Sequence, residues 1–156
     1  MLVTRTPHPL GEVVVVNLHL SAYDETGVIK AQQMAFLRDF VLEEFGQGHH
    51  VIVGGDWNQC PPSFDGGGWG GRGDEPRFTP TQISTDFLPE GWSWSWDNLT
   101  ATHRDGATEY VKDLSFVTTL DFFLCSPNVD VLNVRCLDDG FRHSDHQPVW
   151  AEFRLR

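Results

Sequence analysis

The chain has 156 residues, of which 40% are hydrophobic and 21% charged, a length and composition that predict one soluble globular domain with a modest core. No apolar stretch approaches the roughly 20 residues that a membrane-spanning helix needs. Asp and Glu number 22 against 11 Lys and Arg, which gives a net charge of −11. Because a sequence-independent grip on nucleic acid depends on surplus Lys and Arg, this balance argues against such binding.

The first half of the chain predicts a strand, a helix and a second strand. Residues 12–20 (EVVVVNLHL) are apolar and β-branched, as expected of a buried strand. Residues 28–45 carry apolar side chains at helical spacing and precede two glycines, which predicts an amphipathic helix. Residues 50–54 predict the second strand. This β-α-β order indicates an α/β fold with a crossover helix.

The middle of the chain predicts a long loop and a tryptophan-rich strand. Gly and Pro dominate residues 59–80, which form either an insert or a loop that meets substrate through Trp69 and Arg72. Three tryptophans alternate within residues 91–98 (GWSWSWDN) and would line one face of a strand, either against the core or as a substrate wall.

The last third predicts three strands, at residues 114–124, 129–136 and 147–155. Neither an internal repeat nor a linker separates them from the earlier elements. We therefore expect one domain over residues 1–156.

The three cysteines, Cys60, Cys125 and Cys136, form no CxxC pair, and their odd number argues against a full set of disulfides. We expect structural thiols.

The opening residues, MLVTRTPHPLGE, lack the apolar core of a signal peptide. The location of the protein is left open, with the cytoplasm as the default expectation.

The second predicted strand runs through Gly54 and Gly55 into Asp56 and Asn58. In an extended backbone these two polar side chains point to one side, and the glycines leave room for another backbone or a ligand. Ligands bind at the carboxyl ends of strands in α/β sheets. The stretch is a candidate site, although Asp and Asn are also common in turns.

Other polar side chains within or next to the predicted strands are candidate site residues. Asp121 lies in an apolar strand (TTLDFFLCS), where a carboxylate needs a partner such as a histidine. Asp145 and His146 precede the last strand, and His19 follows the apolar part of the first. Taken singly, His19 also fits a core histidine and Asp145 a solvated loop residue.

Together these segments resemble the endonuclease/exonuclease/phosphatase superfamily, the fold of pancreatic deoxyribonuclease, abasic-site endonucleases, sphingomyelinases and inositol-phosphate phosphatases. The matching segments follow the family's order: VVNLHLSA, VIVGGDWN, TTLDFFLCS and HSDHQPVWAEF. The resemblance spans about residues 12–155 and extends to a bacterial branch of the family. It implies a two-sheet α/β sandwich and a metal-dependent hydrolase of phosphate esters, acting as a nuclease, phosphodiesterase or phosphatase.

The resemblance also implies residue roles. Asp56 would handle the proton of the attacking water or of the leaving oxygen. Asn58 would hold the scissile phosphate or a metal-bound oxygen. His146, oriented by Asp121, would contact the phosphate or act as an acid or base, and His19 would donate to a phosphate oxygen and help to protonate the leaving group.

The implied cofactor is Mg²⁺, with Mn²⁺ as an alternative, held by Asp145 together with Asp56 and Asn58. Mg²⁺ prefers oxygen ligands, which these side chains provide. Arg104 would either clamp a phosphate or be a surface arginine.

Two features of the family's first half are absent from the sequence: an Asn after its first strand and a Glu that is its main metal ligand. We therefore expect a domain truncated at its amino terminus, half of the sandwich, with a mostly antiparallel or mixed sheet. An uncovered sheet face would favour self-association or binding of the missing half.

Two alternatives to an active hydrolase stay open: an inactive half-domain or interaction module, and a nucleic-acid-binding module that the net charge disfavours. The substrate is left open: DNA, RNA, phospholipid head groups, inositol phosphates and nucleotide-capped coenzymes are all hydrolysed by members of the resembled family.

Overall fold

A computed structural model describes residues 1–22, 24, 26–65, 80–106 and 109–156. Trp69 and Arg72 lie outside the described residues, so the interpretation of their loop stays a prediction. Within the described ranges the elements are, in chain order, β1 (Leu2–Thr6), β2 (Val13–His19), α1 (Val28–Gly46), β3 (His50–Asp56), β4 (Ser93–Ser95), β5 (His103–Arg104), β6 (Val117–Thr118), β7 (Asp121–Cys125), β8 (Val129–Cys136) and β9 (Val149–Leu155).

A five-stranded sheet in the order β1-β2-β3-β7-β4 is the centre of the fold. β2 and β3 are parallel and α1 connects them, so the predicted β-α-β unit is confirmed. The other neighbouring strands of this sheet are antiparallel. Two two-stranded sheets, β5-β6 and β8-β9, complete the described strands. The predicted α/β class with a mixed sheet and a crossover helix is confirmed.

The main core lies between α1 and one face of the central sheet. Alternate residues of β2 and β3 point to this face, and each fully buried large apolar side chain contributes about 1.5–3 kcal/mol. The buried core side chains from these three elements are Val14, Val16, Leu18, Met34, Leu37, Val41, Val51 and Val53.

The alternating tryptophans of β4 and its flanks extend this core. Trp92, Trp94 and Trp96 pack against it, and the Trp94 ring lies 5.0 Å from the ring of the fully buried Trp57. The structure therefore gives these tryptophans the core-packing role that was one of the two expectations.

The opposite face of the sheet is covered in part by the β8-β9 hairpin. Ile52 and Cys125 form a buried cluster with Val129, and the Phe123 and Phe153 rings lie 5.4 Å apart. Val15 is on the same face and remains 39% exposed. Among the described residues, the β8-β9 strands therefore cover this face at β3 and β7 but leave it partly exposed at β2.

The single strand predicted at 114–124 is wrong in its first part. Ser115 N donates to Val111 O at 2.9 Å and closes a turn there. β6 pairs with β5, whereas β7 pairs with β3, so the chain changes sheets between them. The apolar pattern hides this change because the connecting Leu120 is itself buried.

β1 has no counterpart among the predicted strands. It is an edge strand whose side chains are mostly exposed, with Leu2 67% exposed, so it lacks the apolar alternation of a half-buried strand. The three cysteines are buried free thiols, as expected. The described part of the chain contains no helix that is long and apolar enough to cross a membrane.

Candidate functional site

Strand register brings three of the predicted site residues into one row. His19 at the end of β2 is opposite Asp56 at the end of β3, and Asp56 is opposite Asp121 at the start of β7. Residues opposite each other on neighbouring strands lie about 5 Å apart and share a face of the sheet. The pairing therefore collects side chains that are distant in the sequence.

Asp56 is at the centre of the site. Its side chain is 12% exposed, and its Oδ2 lies 3.3 Å from His19 Nε2 and 3.7 Å from His146 Nε2. Burial raises the pKa of Asp56 above its ordinary value of 3.8, and the Asp121 carboxylate adds to this, against the opposing effects of Asn58 N–H and the two imidazoles. Asp56 is thus a partly desolvated carboxylate that faces two groups able to carry a proton.

Asp121 fixes the ring of His146. The His146 Nδ1 and Asp121 Oδ2 atoms are 2.8 Å apart, which leaves His146 Nε2 on the side of Asp56. Burial lowers the pKa of His146, but the hydrogen bond and charge of Asp121, together with Asp56 and Asp145, outweigh burial and raise the pKa above its ordinary 6.5. The arrangement favours imidazolium and supplies the partner that the Asp121 carboxylate needs.

Asn58 holds the Asp56 carboxylate in place. Its backbone N–H donates to Asp56 Oδ1 at 2.8 Å, and its Nδ2 donates to Asp56 Oδ2 at 3.2 Å. Nδ2 also donates to Leu20 O at 2.8 Å, so both amide protons are used and the amide orientation is fixed. The Oδ1 atom of Asn58 is therefore the atom of this side chain that can still bind a ligand. We call His19, Asp56, Asn58, Asp121 and His146 the carboxyl-end cluster.

Gly55 permits the close approach of β2 and β3 next to Asp56. Its φ is 133°, and a Cβ at this position would lie 2.1 Å from Leu18 O. A side chain here would force the backbones of the two strands apart and separate His19 from Asp56. The sequence predicted that these glycines leave room for either another backbone or a ligand. At Gly55 the structure shows the close approach of a backbone.

Two residues outside the predicted set support the cluster. Thr102 is fully buried, and its Oγ1 accepts hydrogen bonds from Leu120 N and Asp121 N, each at 3.0 Å. Lys30 Nζ donates to Asn58 O at 2.9 Å. Both act through backbone atoms far along the chain, and no local sequence signal predicts such contacts.

Asp145 belongs to a neighbouring group. It is exposed, and one ligand atom from each of His103, Asp145 and His146 lies within 4.8 Å of the others. The predicted cation ligands therefore fall into two adjacent sets, one with Asp56 and Asn58 and the other with Asp145. His146 contacts the first set and belongs to the second.

His103 packs against His146, with the two ring centroids 4.6 Å apart. Burial, together with the charge of His146, lowers the pKa of His103 to about 4, so its ring is neutral at physiological pH. The residue lies in the segment ATHRDG, where a histidine beside an arginine is the one visible signal of a polar site.

Arg104 lies beside the Asp145 segment. Its backbone N–H donates to Asp145 O at 2.9 Å, and its Nη1 donates to Asp105 O at 3.0 Å. These contacts fix its backbone near the cluster, and the phosphate clamp stays a prediction.

The sequence model of the Endonuclease/Exonuclease/phosphatase family matches residues 4–146. The match covers most of the chain and includes every member of the carboxyl-end cluster, so the chain belongs to this family.

Solved structures share its fold. TDP2 from D. rerio, in complex with a single-strand DNA product, superposes with a TM-score of 0.64 at 17% identity, covering 98% of this chain and 60% of that one. A 3'-5' exonuclease from Neisseria meningitidis gives a TM-score of 0.60 at 21% identity, covering 97% and 64%. A mannosyl-6-phosphatase from Bacteroides thetaiotaomicron gives 0.60 at 16% identity, covering 93% and 52%. The chain thus spans between 52% and 64% of the length of these three structures.

Proposed function

We propose that the chain hydrolyses phosphate esters at the carboxyl-end cluster with the help of a divalent cation. The observation that carries this proposal is the position of Asp56, a partly buried carboxylate between two imidazoles, one of which is held by a second carboxylate. Membership of a family described by its nucleases and phosphatases supports the reaction class, because both act on phosphate esters.

The geometry supports proton transfer at Asp56. The carboxylate is held by Asn58 and accepts the proton of the attacking water, while the two imidazoles on Oδ2 favour its ionised form. His146, kept as imidazolium by Asp121, faces the negative charge that develops on the phosphoryl oxygens. His19 is 73% exposed, so it is accessible to substrate and donates to a phosphate oxygen.

The oxygen donors at the site fit a hard divalent cation such as Mg²⁺ or Mn²⁺. Asp145 would hold it, with Asp56 and the Oδ1 atom of Asn58 as the neighbouring oxygens. A Cβ at Gly106 would lie 3.1 Å from Asp145 Oδ2, so the glycine keeps space open beside that carboxylate. When bound, the cation supplies positive charge to the phosphoryl group.

The substrate is proposed at the level of a chemical class. The neighbours' names include a complex with single-strand DNA, an exonuclease and a sugar phosphatase, and phosphate esters are what these share. With a net charge of −11, the chain favours a small or single-stranded ester over a long duplex.

The test is hydrolysis of bis-p-nitrophenyl phosphate by the 156-residue chain with Mg²⁺, with and without EDTA. We expect turnover that EDTA abolishes, and His146→Gln should lower kcat/KM by about 10²–10⁴-fold, the usual contribution of a positioned acid or base. Asp121→Asn should lower it less and move the basic limb of the pH–rate profile to lower pH, because the pKa of His146 falls without its carboxylate partner.

The matched control is His49→Gln. His49 Nδ1 lies 2.8 Å from Glu44 Oε2 at the other end of the sheet, so this variant removes an imidazole–carboxylate contact of the same length without touching the cluster. Its activity should equal that of wild type. Absence of turnover by the wild-type chain would favour an inactive domain. Full activity of His146→Gln would instead contradict the role given to His146.

A further inference from the structure

A set of nitrogen and oxygen ligands lies beside the proposed hydrolytic site. His103, Asp145 and His146 each place one ligand atom within 4.8 Å of the other two. Their backbones are held together, because Arg104 N donates to Asp145 O at 2.9 Å and Gln147 N donates to Thr102 O at 2.8 Å. The backbones that carry the three side chains are therefore held next to each other before any ligand binds.

One ring nitrogen of His103 has no hydrogen bond to the part of the chain that the structure describes. Its Nδ1 atom is buried and has no hydrogen-bond partner within the described ranges. A buried polar atom without a partner costs free energy that a bound ion or its water can recover. Packing of the ring on His146, with centroids 4.6 Å apart, keeps the two imidazoles side by side.

We infer that His103, Asp145 and His146 form a binding site for a divalent transition ion such as Zn²⁺. Two imidazoles and one carboxylate are a donor set that zinc uses with a fourth position open to water, whereas Mg²⁺ prefers oxygen. Zinc–ligand distances of about 2.0–2.2 Å put neighbouring ligand atoms roughly 3–4 Å apart. Closing the present spacing of at most 4.8 Å requires only small side-chain movements.

The site shares His146 with the carboxyl-end cluster and Asp145 with the proposed Mg²⁺ site, so Zn²⁺ and Mg²⁺ compete for Asp145. An ion bound through Nε2 of His146 competes with Asp56, and an ion bound through Nδ1 displaces the hydrogen bond to Asp121. In either case Zn²⁺ withdraws His146 from phosphate chemistry, a consequence that rests on the proposed function. The binding itself does not depend on turnover.

Metal binding is measured on the 156-residue chain with Co²⁺, followed by its visible absorption, and with Zn²⁺ by calorimetry and by displacement of Co²⁺. We expect one site whose Co²⁺ spectrum shows nitrogen ligation and which excess Mg²⁺ does not displace. Changes in the partners of metal ligands alone cost roughly 10- to 100-fold in affinity. Replacement of the ligand in His103→Phe, which keeps an aromatic ring beside His146, should therefore cost at least about tenfold.

The matched control is His143→Phe, the same substitution on the exposed His143 two positions before Asp145, and it should leave the affinity unchanged. Asp145→Asn provides a second ligand variant at an exposed position if His103→Phe fails to fold by circular dichroism. Failure of the wild-type chain to bind Co²⁺ or Zn²⁺, or equal affinity in the folded ligand variants, would overturn the site. Zn²⁺ should also inhibit Mg²⁺-supported hydrolysis in wild type more than in His103→Phe, whereas absence of all turnover would count against the proposed function alone.

Discussion

Two carboxylates lie at opposite ends of the central sheet, Asp56 partly buried and Glu44 buried, and their partners differ. At the carboxyl end of β3, Asp56 faces the imidazoles of His19 and His146. Near the end of α1, Glu44 is held by Arg5, with Nη2–Oε1 and Nη1–Oε2 distances of 2.5 and 2.8 Å.

The second group is completed by His49, which lies 2.8 Å from Glu44 Oε2, and by Glu12, which lies 2.7 Å from Arg5 Nη1. We call Arg5, Glu12, Glu44 and His49 the amino-end cluster.

The partners determine what each carboxylate can do. Hydrogen bonds from Arg5 lower the pKa of Glu44, whereas burial raises the pKa of Asp56. A guanidinium does not release its proton at accessible pH, but an imidazole titrates near neutrality. The Arg5–Glu44 contact is therefore permanent at accessible pH, whereas Asp56, which among the described residues has imidazoles and no guanidinium as its charged partners, is suited to exchange protons.

The largest stability effect should come from Glu44→Gln. This variant keeps the shape but removes the charge that accepts from Arg5 and His49, and hydrogen bonds to charged groups contribute about 1.5–3 kcal/mol, so a loss of about 2 kcal/mol is expected. Because the pKa of Glu44 is lowered, its contribution is present above the ordinary value of 4.5 and is lost as pH falls through the lowered pKa. Urea denaturation across this pH range measures it, and equal stability of variant and wild type would refute the structural role.

His146 should stabilise the fold with the opposite pH dependence. Its pKa is raised, so its contribution is complete below the ordinary value of 6.5 and declines as pH rises through the raised pKa. The difference in unfolding free energy between wild type and His146→Gln should shrink over that interval. Asp121→Asn removes the partner that raises the pKa, and in this background the pH dependence should be much weaker. A difference that grows with pH would show that the imidazolium is not favoured.

Asp56→Asn should have the reverse sign of Glu44→Gln. Burial raises the pKa of Asp56, so its charge is less favourable in the folded than in the unfolded chain, and a permanently neutral side chain should not lower the free energy of unfolding at neutral pH. The effect of the Asp56 charge on the free energy of unfolding should vanish below the ordinary pKa of 3.8, because the wild-type carboxyl is then protonated in both the folded and the unfolded chain. Chemical denaturation of both variants under the same conditions measures this difference. If Asp56→Asn lost as much free energy of unfolding as Glu44→Gln, the proposed difference between the two clusters would be wrong.

The smallest effect is expected at an exposed ion pair outside both clusters. Arg154 Nη2 lies 2.8 Å from Asp130 Oδ2, but the arginine side chain is 65% exposed. Surface pairs of this kind contribute little, and Asp130 keeps Arg156 as a second partner, so Arg154→Gln should cost less than about 0.5 kcal/mol. A larger loss in the same denaturation series would show that exposure is a poor guide to the value of charge pairs in this fold.

The two clusters also differ in how far the sequence predicts them. Asp56 and Asp121 interrupt apolar strands, and such polar side chains at strand ends are visible in the sequence. Arg5 and Glu44 are 39 positions apart in a polar strand and on a helix, and neither position departs from what a surface residue would show. Their contact depends on β1, an exposed edge strand without an apolar pattern.

Within the candidate site, residue types were predictable and the network was not. The row of His19, Asp56 and Asp121 depends on the register of three strands, and a shift by one residue would turn a side chain to the other face. The same limit applies to Asp145, which the sequence groups with Asp56 and the structure groups with His103. Thr102 acts through backbone atoms, so its role emerges only from the folded chain.

The most direct test of this account compares kcat/KM for bis-p-nitrophenyl phosphate between Asp56→Asn and Glu44→Gln, both measured with Mg²⁺ at a pH where each variant is folded. The two substitutions make the same chemical change at opposite ends of one sheet. We predict that Asp56→Asn loses at least about 100-fold, as expected for removal of a general base, while Glu44→Gln stays near the wild-type value. Equal activity of the two variants would contradict the claim that the carboxyl-end cluster performs the chemistry.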